Sequence, residues 1–292
     1  MAQQLAPIPA PLAAPPSAGS GALLPTLGRL VTDVANDREV GFATNPENCG
    51  QSGTLPGIAC DASGAKTIAE NESTVEAWAF EVWAGDKCAS WELGRDWRGR
   101  ARRQLAASLS YQVAAELWIG TQAEAMAGAP NRYLASIGSD VLTAGPTSAT
   151  DALAVLEYGL GQCAHGSRGV IHATRHALTY WAQLGLVRRE GAQLLTFLDT
   201  IVVADAGYDG SGPDGQAAVD GSQWAYATGI PIVRLGPERT IPDGDDLGPA
   251  INRATNTVEY RAERRAAVSW DGCCHLAAEL DLGWADIGGA GS

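Results

Sequence analysis

Lysine is nearly missing from this 292-residue chain: it stands only at Lys66 and Lys87, and arginine supplies the rest of the 20 basic residues. Arginine serves as a fixed, bidentate donor at interfaces, but alanine and glycine are abundant too, and a GC-rich genome accounts for all three biases at once. Positive charge is also short overall, with a formal net charge of −13. A protein built to grip nucleic-acid phosphates is usually basic, because that affinity comes from Lys and Arg displacing counterions. No run approaches the roughly 18 apolar residues of a membrane span. The segment before Arg29 has neither the basic n-region nor the continuous apolar h-region of a signal peptide. The six cysteines, Cys49, Cys60, Cys88, Cys163, Cys273 and Cys274, form no CxxC pair. Without a secretory signal they are expected to be free thiols in a reducing interior rather than a disulfide framework. Charged residues at 18% against 46% hydrophobic exclude a disordered chain and leave a globular one with a sizeable core.

What is present falls into a definite order. Residues 1–22, rich in Pro, Ala, Gly and Ser, predict a flexible arm, and residues 23–34 a short amphipathic turn or helix. Residues 38–74 carry turn formers (Asn45-Pro46, Ser52-Gly53, Pro56-Gly57, Ser63-Gly64) and few helix signals, which predicts a projecting loop or hairpin. In residues 75–83, Val75, Ala77 and Ala79 alternate with Glu76, Trp78 and Phe80, the pattern of a strand returning from that excursion. The clearest helix spans about residues 98–118, with Leu105, Leu109, Val113 and Leu117 recurring every fourth position and Gly120 as its stop. About twenty helical residues extend roughly 30 Å, enough for a strut. Thr147-Ser148 offers an N-cap for a second helix over residues 151–162. Residues 169–173 form an apolar run, 174–184 a helix stopped by Gly185, and an Arg/Glu turn then leads to two strands ending at 200–204. After an Asp/Gly loop, strands are expected over 224–235, interrupted near Gly229-Pro231, then over 256–270 and 274–282. This order points to an α+β class.

Several motifs invite chemistry. His172 and His176 stand four apart, a metal-ligand spacing on a helix, but His172 sits in the apolar run ahead of the helix, and HExxH is missing. Cys163 and His165 suggest a Cys–His nucleophile, yet residues two apart do not face each other on a helix end. Cys273, Cys274 and His275 are consecutive and point to opposite faces of a strand. The loop from Asp205 through Asp209 to Asp214 has acids for Ca²⁺ but not the EF-hand order. Residues 176–189 resemble the recognition helix and wing of a DNA-binding repressor, although Ala177, Leu178, Trp181 and Leu184 make a core face instead of a reading face. Arg95, Arg98, Arg100, Arg102 and Arg103 crowd the start of the long helix, where positive charge is unfavourable. Either local acids (Glu92, Asp96) or acids on a neighbouring subunit are expected to compensate, and these arginines are candidates for inter-subunit contact. No catalytic group, cofactor or metal site follows from these residues. A projecting loop, a strut helix and an arm are more favourable when buried against neighbours than alone in a monomer.

Two phrases, RGVIHATRHALTYWAQLG…LLTFLDTIVVADAGYDG (from Arg168) and NTVEYRAERRAAVSWDGCCHLAAELDL (from Asn256), together with the element order, resemble the Hong Kong 97-type major capsid proteins of tailed bacteriophages. Encapsulins share that fold. The arginine bias is similar to proteins of phages infecting actinobacteria. The resemblance implies an N-terminal arm over 1–38, an extended loop over 39–92 and a peripheral domain with a spine helix over 93–150. It further implies an axial domain over 151–240, whose Asp/Gly loop would line the centre of a capsomer, and a return to the peripheral domain over 241–292. It implies a structural protein, not an enzyme, that forms hexamers and pentamers of an icosahedral shell around double-stranded DNA, touching that DNA non-specifically. The partners would be portal, scaffolding and decoration proteins; the location would be the virion, assembled in the host cytoplasm, with no membrane. Family members that cross-link join a loop lysine to an asparagine; Lys66, Asn252 and Asn256 are the candidates, though their spacing does not require the bond. An encapsulin shell is the alternative within this fold. A winged-helix regulator and a metal- or thiol-dependent hydrolase are the alternatives outside it.

Overall fold

The computed structural model describes residues 21–26, 31–33, 41–44, 75–89, 96–127, 131–163, 169–191, 193–243, 251–272 and 274–283. Most of the expected arm and extended loop, with Lys66, Arg95, His165 and Cys273, lies outside them. In chain order the elements begin with one helical turn, α1 (Leu23–Thr26), and the strands β1 (Val31–Asp33), β2 (Gly41–Thr44), β3 (Val75–Trp78) and β4 (Phe80–Ala89). Thr44 on β2 pairs with Val75 on β3. Helices α2 (Trp97–Ile119) and α3 (Thr121–Ala127) follow, then β5 (Asp140–Val141), β6 (Thr147–Ser148), α4 (Ala149–Cys163), β7 (Val170–His172) and α5 (Arg175–Gln183). The remainder is β8 (Val187–Glu190), β9 (Gln193–Thr196), β10 (Ile201–Val203), β11 (Ser222–Thr228), β12 (Pro231–Leu235), β13 (Arg239–Ile241), β14 (Ile251–Asn252), β15 (Thr257–Trp270) and β16 (His275–Asp281).

The strands form two main sheets. In the first, β15 runs 14 residues. It has β4 along one edge and β14, β13 and β12 in succession along the other, with β1 outermost. Side chains alternate: Val82, Tyr260, Ala262 and Ala266 turn inward, while Glu81, Trp83, Glu259 and Arg265 face solvent, the one-sided pattern of an antiparallel sheet. The second sheet has eight strands, running β5–β16–β11–β7–β10–β9–β8 with β6 also paired to β16, and is covered on both faces. Val170, Val203, Tyr226 and Ala277 face the core around α2, and Ile171, Val202, Ala225 and Leu280 face α4 and α5. Two-sided burial explains why β7 is apolar at successive positions rather than alternating. The spine of the architecture is α2, whose Leu105, Leu109, Val113, Leu117 and Trp118 share one cluster with Phe80 and Val82 of the first sheet and Val170 and Tyr226 of the second.

The helix ends as its residues dictate. Gly120, at φ 77°, closes α2 by donating to Glu116 O at 2.8 Å. The Glu116 side chain then accepts from Gln122 N at 2.9 Å and Ala123 N at 2.8 Å, capping the first turn of α3. Burial raises the Glu116 carboxyl above its ordinary pKa, and the two N–H donors oppose that shift.

Three expectations need correction. Arg188, Arg189 and Glu190 belong to strand β8, and the turn falls at Gly191, which takes φ 59°. The 224–235 segment is two strands in different sheets. Its break is at Gly229, where an added Cβ would lie 1.5 Å from the Asp271 carboxylate, so only glycine lets the chain cross there. The free-thiol expectation fails for Cys163 and Cys274, which are disulfide-bonded with Cα atoms 5.6 Å apart. Packing of α4 on β16 brings together two residues 111 apart in sequence, which spacing rules cannot see.

Trp118 is fully buried against Tyr208 and Tyr226, with ring centroids at 4.7 and 5.0 Å. Trp118→Ala is expected to destabilise the subunit by about 3–5 kcal/mol. Tyr158→Ala, at a position 71% exposed, should stay within about 0.5 kcal/mol. Denaturant titration of the two variants checks the contrast.

Candidate functional site

The arginine cluster sits where α2 begins. No acidic residue lies in the first turn of α2; compensation comes from the flanks. Asp96 caps the helix by accepting from Gly99 N at 2.8 Å and pairs with Arg103 at 3.3 Å. The Gly99 N–H, then Arg103, hold its carboxyl below the usual range. Arg100 reaches Asp86 on β4 and lies 5.6 Å over the Trp97 ring, and Arg102 pairs with Glu238. Of the two expected sources of compensation, local acids are present for Arg100, Arg102 and Arg103: Asp86, Glu238 and Asp96 of the same chain. Arg98 is partly buried on the same turn. The Arg103–Asp96 pair is solvent-exposed and contributes about 0–1 kcal/mol, whereas Asp86 and Glu238 are only 18% and 31% exposed.

Behind the helix is a buried polar junction that sequence reasoning missed. Asp205 accepts from Leu23 N and from Ser110 Oγ, both at 2.8 Å, and from Gly207 N at 3.2 Å. Leu24 N donates to Ser110 Oγ at 3.3 Å, and Ala204 N to Gly21 O at 2.8 Å. One carboxylate thus ties the root of the N-terminal segment, the middle of α2 and the end of β10 together. The only signal for it was an acid directly after the apolar run of residues 201–204. The same bonds correct the Asp/Gly loop: its first acid is saturated by protein donors, and Asp209 accepts from Ser211 N and Oγ at 2.8 and 2.7 Å. At Gly207 an added Cβ would come 2.2 Å from Tyr111 O. This part of the loop packs against the spine helix.

The histidines do not converge. His172 is buried in β7 with Nδ1 2.9 Å from Tyr208 Oη and Nε2 2.9 Å from Thr228 Oγ1, while His275 Nε2 lies 2.8 Å from Leu134 O. Both His172 ring nitrogens are occupied, so the His172–His176 pair is not a metal site. Cys163 is bonded to Cys274, so its structural partner is a second thiol and not a histidine base. The winged-helix reading fails on topology: α5 buries Ala177 and Trp181, Trp181 Nε1 donates to Ala149 O at 2.9 Å, and β8 and β9 extend the eight-stranded sheet. Asn252 Oδ1 accepts from Ala254 N and Thr255 N at 3.1 and 3.3 Å, and Asn256 takes φ 52°. Both asparagines shape the exposed turn before β15.

One surface feature stands out. The turn at residues 196–200 presents Phe197 and Leu198 at 71% and 73% exposure, yet it is heavily braced. Thr196 Oγ1 accepts from Leu198 N and Thr200 N, Glu157 takes the hydroxyls of Thr196 and Thr200, and Arg188 holds Asp199 and donates to Thr196 O at 2.7 Å. A rigid turn with an apolar tip loses little entropy when it is covered, which favours a contact surface.

Desolvation depresses the His172 pKa to about 3 from 6.5. The unfolded chain then binds a proton between those values that the native chain does not. Stability from this group is complete above about pH 6.5 and falls toward pH 3, with a slope approaching 1.4 kcal/mol per pH unit. Melting curves from pH 7 to 4 should show a shallower acid decline for His172→Gln than for the parent.

No protein-family model and no curated protein matches the sequence. Solved structures do match in fold. The capsid of an empty GTA particle superposes with TM-score 0.52 at 13% identity, covering 97% of this chain and 96% of that one. The capsid of Ralstonia phage GP4 gives 0.53 at 11%, covering 99% and 96%. The holo-SrpI encapsulin complex from Synechococcus elongatus gives 0.50 at 10%, covering 89% of each. Over nearly its whole length, the chain has the α+β fold of these phage-capsid and encapsulin shells, the Hong Kong 97-type fold that its sequence resembles.

Proposed function

We propose that the chain is a structural shell subunit, the major capsid protein of a tailed phage. Copies assemble into hexamers and pentamers of an icosahedral shell that encloses double-stranded DNA. The observation that carries this reading is the fold match across almost the full length of both chains. The net charge of −13 limits adhesion of the inner surface to packaged DNA, leaving contact with it non-specific. Arm, loop, peripheral and axial segments take the boundaries 1–38, 39–92, 93–150, 151–240 and 241–292. Within the last segment β15 lies in the first sheet and β16 in the second. Scaffolding, portal and decoration proteins are the expected partners, and the host cytoplasm is the place of assembly. Buried interface area, not catalysis, does the work.

The encapsulin match supports a second reading, a shell around protein cargo. The contents of purified particles separate the two: nuclease-protected DNA supports the capsid, and a co-purifying enzyme supports the nanocompartment.

Negative-stain microscopy of the protein co-expressed with its scaffolding and portal genes should show closed shells. A persistently monomeric particle under those conditions overturns the proposal. Phe197→Asp with Leu198→Asp should abolish shells while shifting the subunit's own stability by no more than about 0.5 kcal/mol, since both side chains are exposed.

A further inference from the structure

We infer that Cys163 and Cys274 form a redox-timed staple: the thiols stay open while subunits fold and assemble in a reducing cytoplasm, and close once the particle reaches an oxidising medium. The inference rests on the shell reading for its timing. The geometry is set by the fold and not by the bond. Cys163 ends α4 and Cys274 precedes β16, and their neighbours Leu160 and Leu276 pack in one buried cluster. Strand β16 is held independently by its ladder with β11, from His275 opposite Thr228 to Asp281 opposite Ser222. Two thiols carried on these elements stand with Cα atoms 5.6 Å apart, within disulfide reach, before any bond forms.

The two sulfurs differ in access. Cys274 is 2% exposed, whereas Cys163 is only partly buried. Cys163 is therefore the sulfur that meets a small disulfide oxidant such as oxidised glutathione. Its thiolate attacks one sulfur of that oxidant, forming a mixed disulfide and releasing one glutathione thiolate. The Cys274 thiolate then attacks the Cys163 sulfur, completing the protein bond and releasing the second. Two electrons pass to the oxidant, and the two protons lost by the cysteines are taken up by the two glutathiones. Cytosolic thiol pools hold such a pair reduced, and the bond persists outside. The staple lies within one subunit, so it leaves assembly contacts untouched while open. Closed, it anchors α4 to a central strand of the eight-stranded sheet across 111 residues of chain, which restricts the unfolded state.

The test quenches expressing cells, and purified particles before and after oxidised glutathione, with trichloroacetic acid, and alkylates the unfolded full-length protein with N-ethylmaleimide so that the buried Cys274 is reached, with peptide mapping of each cysteine. The expected result is full labelling of Cys163 and Cys274 in cells, loss of both labels after oxidation, and several-fold slower dissociation of oxidised particles in guanidinium. Cys163→Ser should form the same particles and show no change with oxidant. A complete bond in freshly made cytoplasmic subunits overturns the inference, as do thiols that stay alkylatable after oxidant, a bond to Cys273 instead, or wild-type dissociation indifferent to oxidant. Particles are scored separately by microscopy. Failure to form shells counts against the shell reading and removes the timing, while thiol mapping on the subunit still reports whether the pair closes.

Discussion

The structure depends on one helix burying its sides against two sheets at once. Leu105, Leu109, Val113 and Leu117 supply the stripe, and each such side chain, fully buried, stabilises by about 1.5–3 kcal/mol. Because α2 shares one cluster with Val82 and Phe80 of the first sheet and with Val170 and Tyr226 of the second, neither sheet can shift without opening a cavity beside the helix. The other features follow from that constraint. Gly207 is required where the Asp/Gly loop meets the helix backbone, and Trp118 fills the space beside Tyr208 and Tyr226. Asp205 supplies an acceptor where the N-terminal segment crosses Ser110.

A helix packed on two sheets resists their movement against each other. Polar groups around it divide by burial. Inside, Asp205, Glu116 and His172 are saturated by protein partners and rigidify the junction. Outside, the arginines at the start of α2 form exposed pairs that exchange readily with water or with another acid. The braced turn at Phe197 and Leu198 combines both: a hydrogen-bonded frame within the chain and an apolar tip facing away from it.

Much of this was legible in the residues. The four-residue spacing of apolar residues placed α2 within one residue at each end, and alternation marked the strand around Val75. The mistakes share a cause. The Arg188-Arg189-Glu190 segment looked like a turn because charged residues also suit the exposed edge strand they occupy. The strand expected over 224–235, with its interruption near Gly229, is two strands in separate sheets, and the crossing between them is shaped by contact with Asp271, forty-two positions away. The Cys163–Cys274 bond, the Asp205 junction and the intrachain acids for Arg100 and Arg102 likewise join residues far apart in sequence, where no periodicity operates.

Local physics thus determined from sequence the elements whose side chains repeat at helical or strand period, the globular α+β class, and an acidic balance of charge. Only the tertiary structure decided which sheet each strand joins, which acid meets which arginine, and which cysteines meet at all. Those outcomes are set by packing on both sides of α2, a constraint that acts through space and leaves no spacing signal along the chain.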